Sequence, residues 1–239
     1  MKNSLFNIDG KVVLITGGYG ILGSQMAEYL ASEGAKVVIL GRSKEKGEAL
    51  AAKIKAKGDE AMFLVSDAMN EENLVQNREE ILKAYGKIDV LINAAGGNMP
   101  GATIPPDKTI FDVKVDAFKD VIDLNLFGTV IPTLVFAKAM VDNGKGNIIN
   151  IASMSSFRPL TRVMGYGVAK AAVANFTEYM AGELSTKFGE GFRVNALAPG
   201  FFITEQNRNL MLNPDGSYTD RAKSVIAHLS LIHISEPTR

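Results

Sequence analysis

The chain contains no cysteine and no tryptophan, only two histidines, and no surplus of charge of either sign. Without cysteine there is no disulfide framework, no thiol nucleophile and no zinc–thiolate site. His228 and His233 both fall near the C-terminus, too few and too late for a histidine-based metal centre, so no metal is expected. Twenty-six basic side chains balance 26 acidic ones, which leaves no electrostatic footprint for nucleic acid or an anionic membrane. The opening residues MKNSLFNIDGK lack the apolar core of a signal peptide, and no apolar run reads as a membrane span, so the cytoplasm is the expected compartment. With 46% hydrophobic and 22% charged residues, the 239-residue chain has the composition of a globular protein, with enough apolar side chains for one sizeable core.

What is present is a rhythm of buried strands and helices. Residues 11–16, KVVLIT, are a short β-branched run without polar alternation, the pattern of a strand covered on both faces of a parallel sheet. They run into GGYGILG and a helical pattern. Further strands are expected at 35–40, 60–65, 88–92, from 147, and at 192–197, with helices at 43–57, 71–85 and 165–188. Such alternation implies right-handed crossovers and an α/β fold: a Rossmann-type, doubly wound parallel sheet in a single domain over 1–228. Two stretches interrupt it. Residues 96–113, GGNMPGATIPPDKTIFDV, hold too much Gly and Pro for a regular element, and they follow a strand's C-terminal end, where α/β folds place substrate contacts. Residues 116–142 read as one long helix that Pro132 should kink or break. Residues 229–239, LSLIHISEPTR, match the translation of a transposase-type sequencing-library adapter and are read as a non-native tail on a domain cut short of its last strand.

Three local patterns carry chemistry. In TGGYGILG, between a strand and a helix, Gly17, Gly20 and Gly23 permit a tight turn and close approach of backbone to a pyrophosphate seated on a helix N-terminus. The second strand ends Leu40-Gly41-Arg42, without the carboxylate that binds the ribose hydroxyls of NAD; Arg42 instead suits a 2′-phosphate, which favours NADP over NAD. Tyr166 and Lys170, four apart on one helix face, can set an ammonium beside a phenol, and Ser153 at the preceding strand end offers a hydroxyl to polarise a carbonyl, with Ser155 and Ser156 as competitors.

Taken in order, these pieces resemble a short-chain dehydrogenase/reductase from residue 5 to residue 228. They are Thr16 to Gly23, Asp67, Asn93-Ala94-Ala95-Gly96, Asn125 in LNLFGT, Ser153, Tyr166-x-x-x-Lys170, and Asn195 through Pro199-Gly200 to Thr204. The resemblance implies a small-molecule oxidoreductase, a homotetramer, and specific roles. The glycine loop, including Ile21, holds the phosphates; Asp67 contacts the adenine; Asn93, Ala94 and Gly96 line the cofactor; Pro199, Gly200 and Thr204 flank the nicotinamide. Tyr166 is the acid/base, Lys170 holds the ribose and lowers the tyrosine pKa, Ser153 binds the substrate oxygen, and Asn125 anchors a relay water. One departure is Ile21, where the short branch of the family usually has its middle glycine. The resulting TGxxGxxG spacing is typical of the extended branch of epimerases, whose additional domain this length does not allow.

More closely, NAAGGNMPGAT, PTLVFAK, NIINIASM and RVNALAPGFFITEQNRNLM resemble bacterial D-mannonate oxidoreductases, which implies interconversion of D-fructuronate and D-mannonate in hexuronate metabolism. A sugar acid needs partners for its carboxylate and hydroxyls; Asn98, Arg158, Arg162, Asn207 and Arg208 are the candidates. The alternatives are a reductase of another ketone or polyol, a nucleotide-sugar epimerase or dehydratase, and a cofactor-binding sensor or scaffold without turnover.

Overall fold

The computed structural model describes residues 6–200 and 208–228, in two compact units divided between Pro199 and Gly200. In the first, six strands form one parallel sheet: β1 Val12–Thr16, β2 Lys36–Gly41, β3 Ala61–Val65, β4 Val90–Asn93, β5 Gly146–Ile151 and β6 Phe192–Leu197. Their order is β3-β2-β1-β4-β5-β6, so the winding reverses between β1 and β4, where Thr16 lies in register with Asn93. In open sheets of this kind, ligands bind beyond the strands' C-terminal ends at that reversal.

Alternate residues of each central strand serve opposite faces. Val13, Ile15, Val37 and Ile39 pack with Ala27 and Ala31 of α1 (Ile21–Ser32) and Leu50 and Ile54 of α2 (Lys44–Lys55). Val12, Leu14, Val38, Leu91 and Ile148 pack on the other face with α3 (Glu71–Tyr85), α5 (Gly128–Asp142) and α6 (Met164–Phe188), through Leu74, Ile81, Phe136, Met140 and Leu184. Apolar coverage of both faces is why the strands read as unbroken β-branched runs. Ser43 caps α2 and Asn70 caps α3, which ends on left-handed Gly86.

The long helix expected at 116–142 is instead α4 (Val115–Ile122), a π-turn at Asp123–Phe127, and α5. The break sits at Asn125, not at Pro132, which is accommodated inside α5. A buried side chain causes it: the Asn125 amide donates to Val121 O and Gly97 O, each at 2.8 Å, and so intrudes on the helical hydrogen-bond ladder. By length and composition the run Val115–Asp142 could cross a membrane, contrary to the sequence reading. Its Val121, Val135, Phe136 and Met140 are core residues of this fold. Residues 96–113 are not wholly irregular either. They contain 3-10 turns at Pro100–Ala102 and Ile110–Asp112, the second held by a Thr109/Asp112 capping box. In the second unit, α7 (Arg208–Met211) and α8 (Asp220–His228) flank a turn closed by a Leu212–Tyr218 bridge, with Met211 and Ala222 buried.

The far end of the sheet is fastened by Asp89. It accepts the Val12 N–H at 2.9 Å and pairs with Lys87 at 2.8 Å and Lys11 at 3.6 Å. Burial pushes its pKa up, but the bonds from Lys87 and Val12 outweigh burial and leave it below the usual carboxylate value. A folded pKa below the unfolded one stabilises fully above about pH 4, and the contribution is lost as pH falls through the folded value. Asp89→Asn should therefore cost about 1–3 kcal/mol at pH 7. Thermal melts should show the gap from wild type closing toward pH 3; a gap of the same size at both pH values contradicts the assignment.

Candidate active site

At the C-terminal ends of β1, β2 and β4, backbone approaches backbone. Gly17 has φ 61°, and a Cβ there would come within 2.9 Å of Ala95 Cα; a Cβ at Gly23 would lie 2.5 Å from Gly17 O. No side chain caps α1 at Gly20, so its first-turn amides face outward as a ready anion site. Ile21, at the first helical position, is 45% exposed and does not close this cradle. Thr16 ties the reversal point together, its hydroxyl accepting the Ala94 and Ala95 N–H groups, both at 3.1 Å. At the end of β3, Asp67 accepts the Met69 N–H while its own N–H is held by Asn73. Arg42 is exposed at the end of β2, with no hydrogen bond or ion pair among the described residues. This glycine-lined cradle fits the pyrophosphate of a dinucleotide, and the exposed Arg42 guanidinium beside it has the chemistry to meet a further phosphate.

Beside the cradle, β5 runs into a 3-10 turn at Met154–Ser156, and the three serines there separate by geometry. Ser153 caps the turn, accepting the Ser155 N–H at 3.1 Å, and hydrogen-bonds Tyr166. Ser156 donates to Lys170 O on α6, and the Ser155 hydroxyl is buried without a partner. Lys170 is 3% exposed; its Nζ donates to Ile151 O at 2.6 Å and stands 5.7 Å from the Tyr166 ring centroid. Burial lowers the Lys170 pKa to about 8. Burial also raises that of Tyr166, against the opposing pull of the Ser153 hydrogen bond. This is the reverse of the lowering expected from the lysine. The physical reason is burial, which disfavours the charged phenolate by more than the Ser153 hydrogen bond favours it.

The Asn125 side chain faces the loop after β4. It embraces Gly97, accepting its N–H at 3.0 Å and donating to its carbonyl. Gly96, at φ 150°, leaves room for this: a Cβ there would lie 2.7 Å from Asn125 Oδ1 and 3.4 Å from Lys170 Nζ. Asn93 turns inward rather than toward the cleft, donating to Thr133 Oγ1 and Asn150 Oδ1 at 2.8 and 2.9 Å. Asn150 in turn donates to Thr177 of α6. Thr129, Thr133, Asn150 and Thr177 were not singled out from sequence, although Asn125, Thr129 and Thr133 recur at helical spacing.

Of the proposed substrate contacts, Asn98 donates to Thr103 Oγ1 at 2.6 Å within its own loop, leaving a buried carbonyl oxygen without a partner. Arg158 is exposed, with no side-chain partner among the described residues. Arg162 is half-buried and is the one non-glycine residue with positive φ among those described, at 73°. Its carbonyl accepts the Ile104 N–H at 2.9 Å and its Nε donates back to Ile104 O at 2.7 Å, joining the loop before Tyr166 to the loop after β4. Pro199 O accepts the Met154 N–H beside Ser153. Gly200 and Arg208, the latter exposed on α7, belong to the second unit. Thr204 and Asn207 lie outside the described residues.

Comparison with known proteins gives the family. The short chain dehydrogenase family profile matches residues 11–215. The uncharacterized oxidoreductase UxuB of Bacillus subtilis is 40% identical over 97% of this chain and 85% of its own length. A solved candidate D-mannonate oxidoreductase from Haemophilus influenzae with bound NAD superposes at TM-score 0.84, with 37% identity, over 91% of this chain and 80% of that one. A candidate NAD(P)-dependent gluconate 5-dehydrogenase from Beutenbergia cavernae with bound NADP gives TM-score 0.78 and 31% identity, over 93% and 82%. The protein is an NAD(P)-dependent oxidoreductase of the short-chain dehydrogenase family.

Proposed function

We propose that this enzyme interconverts a ketone and a secondary alcohol on a six-carbon sugar acid, D-fructuronate and D-mannonate, with NADP(H) preferred over NAD(H). The reading is carried by the meeting of Ser153, Tyr166 and Lys170 beside the glycine cradle. A nicotinamide held at this site would supply the hydride or accept it. The chain's own residues manage the oxygen and its proton. Ser153 donates a hydrogen bond to the substrate oxygen, and Tyr166, a phenol whose pKa burial raises further, gives that oxygen its proton in reduction and takes it back in oxidation. Lys170, fixed by Ile151, holds the nicotinamide ribose. Asn125 keeps the Gly96–Gly97 backbone in place at the cofactor's edge. Thr16, Gly17, Gly20, Ile21 and Gly23 cradle the phosphates and Arg42 meets the 2′-phosphate. Asp67, Ala94 and Pro199 complete the cofactor's surroundings.

The substrate class rests on Arg162 and on the names of two similar solved chains, one a mannonate and one a gluconate enzyme. Arg162 is held through Nε alone, so its two terminal nitrogens have no partner among the described residues, and a planar fork of this kind suits a carboxylate. A cytoplasmic homo-oligomer belongs to the same reading. Leu134 on α5 and Val168 and Tyr179 on α6 are exposed apolar side chains of the kind that a second copy would cover.

Arg162→Lys should raise KM for fructuronate about tenfold or more while leaving a neutral hydroxyketone unaffected. Tyr166→Phe should lower kcat for both by about 10²–10⁴ without loss of cofactor binding. Equal loss on both substrates from Arg162→Lys contradicts the sugar-acid reading, and normal turnover by Tyr166→Phe contradicts the catalytic one. The pH profile adds a second check. Lys170 is charged below its pKa of about 8 and neutral above it, whereas the raised Tyr166 pKa keeps the phenol protonated further up. Reductive kcat/KM should hold through neutral pH and decline above about 8, and Lys170→Arg should move that decline upward. A profile flat to pH 10 would remove Lys170 from this role.

A further inference from the structure

The second residue after the tight turn of the glycine loop is Tyr19, and it reaches across to the end of β2. Its ring lies directly over Gly41: a Cβ at position 41 would fall on its Cε1, Cδ1 and Cζ atoms. Its hydroxyl oxygen accepts the Ser43 N–H at 2.9 Å, while the Ser43 side chain caps α2 by accepting the Lys46 N–H. The phenol is thus fixed by both its face and its oxygen, at the N-terminal end of α2 and next to the unpaired Arg42.

In NAD sites of doubly wound sheets, a carboxylate near the end of the second strand takes the ribose hydroxyls. Here Tyr19 fills the volume that any side chain at Gly41 would need. We propose that Tyr19 is the specificity-determining residue at the adenosine end of the cofactor: it excludes a carboxylate from position 41 and presents its O–H to the 2′-phosphate of NADP(H), alongside Arg42. Since the oxygen uses a lone pair to hold Ser43, the phenolic hydrogen remains available to donate. A phosphate gains a donor, a guanidinium and a helix N-terminus at once. A bare ribose hydroxyl gains only the donor, and the repulsion that a carboxylate would impose on phosphate is gone. The inference rests on the NAD(P) assignment and is independent of the sugar substrate.

The test is titration calorimetry with 2′,5′-ADP and 5′-AMP, which differ only in the 2′-phosphate and need no hydride transfer. Wild type should favour 2′,5′-ADP by about tenfold or more. Tyr19→Phe, which keeps the ring over Gly41, should weaken 2′,5′-ADP about five- to tenfold and leave 5′-AMP within about twofold. Gly41→Asp alone should weaken both ligands, because the ring is in the way. Tyr19→Ser combined with Gly41→Asp should reverse the preference toward 5′-AMP. Equal losses for both ligands in Tyr19→Phe would reduce Tyr19 to a packing residue and overturn the proposal, as would no change in either. A Gly41→Asp protein that already prefers 5′-AMP overturns the exclusion argument. Wild type binding neither fragment would strike at the nucleotide assignment itself, and the proposal would fall with it.

Discussion

The active end of this molecule depends on a buried chain of hydrogen bonds running through the centre of the sheet. It starts at the Asn125 carbonyl, which accepts from Thr129. The Thr129 carbonyl accepts from Thr133, whose hydroxyl accepts from Asn93. From Asn93 it crosses to Asn150 and then to Thr177, which returns its proton to Val173 O on α6. All of these polar side chains are at most 4% exposed. Each link would be expensive to leave unpaired in such surroundings, so one arrangement of α5, β4, β5 and α6 is strongly preferred over neighbouring registers. The Asn93 side-chain amide oxygen, Oδ1, which has no partner, is the one visible imperfection in the chain. The same chain therefore sets how far Tyr166 and Lys170, on α6, stand from the Gly96–Gly97 backbone that Asn125 holds.

That rigidity has an electrostatic consequence. Lys170 is buried and Tyr166 half-buried, and the loss of solvent opposes the charged form of each, so the lysine pKa falls and the tyrosine pKa rises. A protonated phenol is the right starting state for delivering a proton to a reduced carbonyl. A phenolate, needed in the other direction, has to be stabilised by positive charge, and the described residues alone do not supply enough of it. A ligand bringing positive charge beside Tyr166 would favour the phenolate.

Much of the fold was legible because buried parallel strands and amphipathic helices impose their periods on the sequence. The bounds of the helix Glu71–Tyr85 and the strand Phe192–Leu197 emerge as read. What escaped depends on single side chains acting at long range. Pro132 drew attention within an apolar run, yet Asn125 makes the break, because its partner Gly97 lies 28 positions away and no local pattern announces it. The choice among Ser153, Ser155 and Ser156 needed the orientation of a turn, since all three are the same residue type in one short stretch. The apolar run itself gives no sign of whether lipid or a protein core covers it. The sheet answers that here, with Phe136 and Met140 inside.

Tyr19 and Arg162, the contacts proposed for the 2′-phosphate and the carboxylate, share one device. Each is a long side chain with several polar positions, and in each the backbone of another segment takes only one: the Ser43 N–H takes a Tyr19 lone pair, and the Ile104 carbonyl takes the Arg162 Nε–H. That single bond removes much of the rotamer freedom that a free arginine or tyrosine would lose on binding, while the remaining donors stay available. Arg162 adds a strained backbone at φ 73°, which the reciprocal bond from Ile104 N–H helps to hold. Arg42 and Arg158 lack such a tether, so although their charge is equal, each would have to lose its freedom when a ligand arrives. Tethering, more than charge, is the physical reason to rank Arg162 above Arg158 for a carboxylate, and to place Tyr19 beside Arg42 at the phosphate.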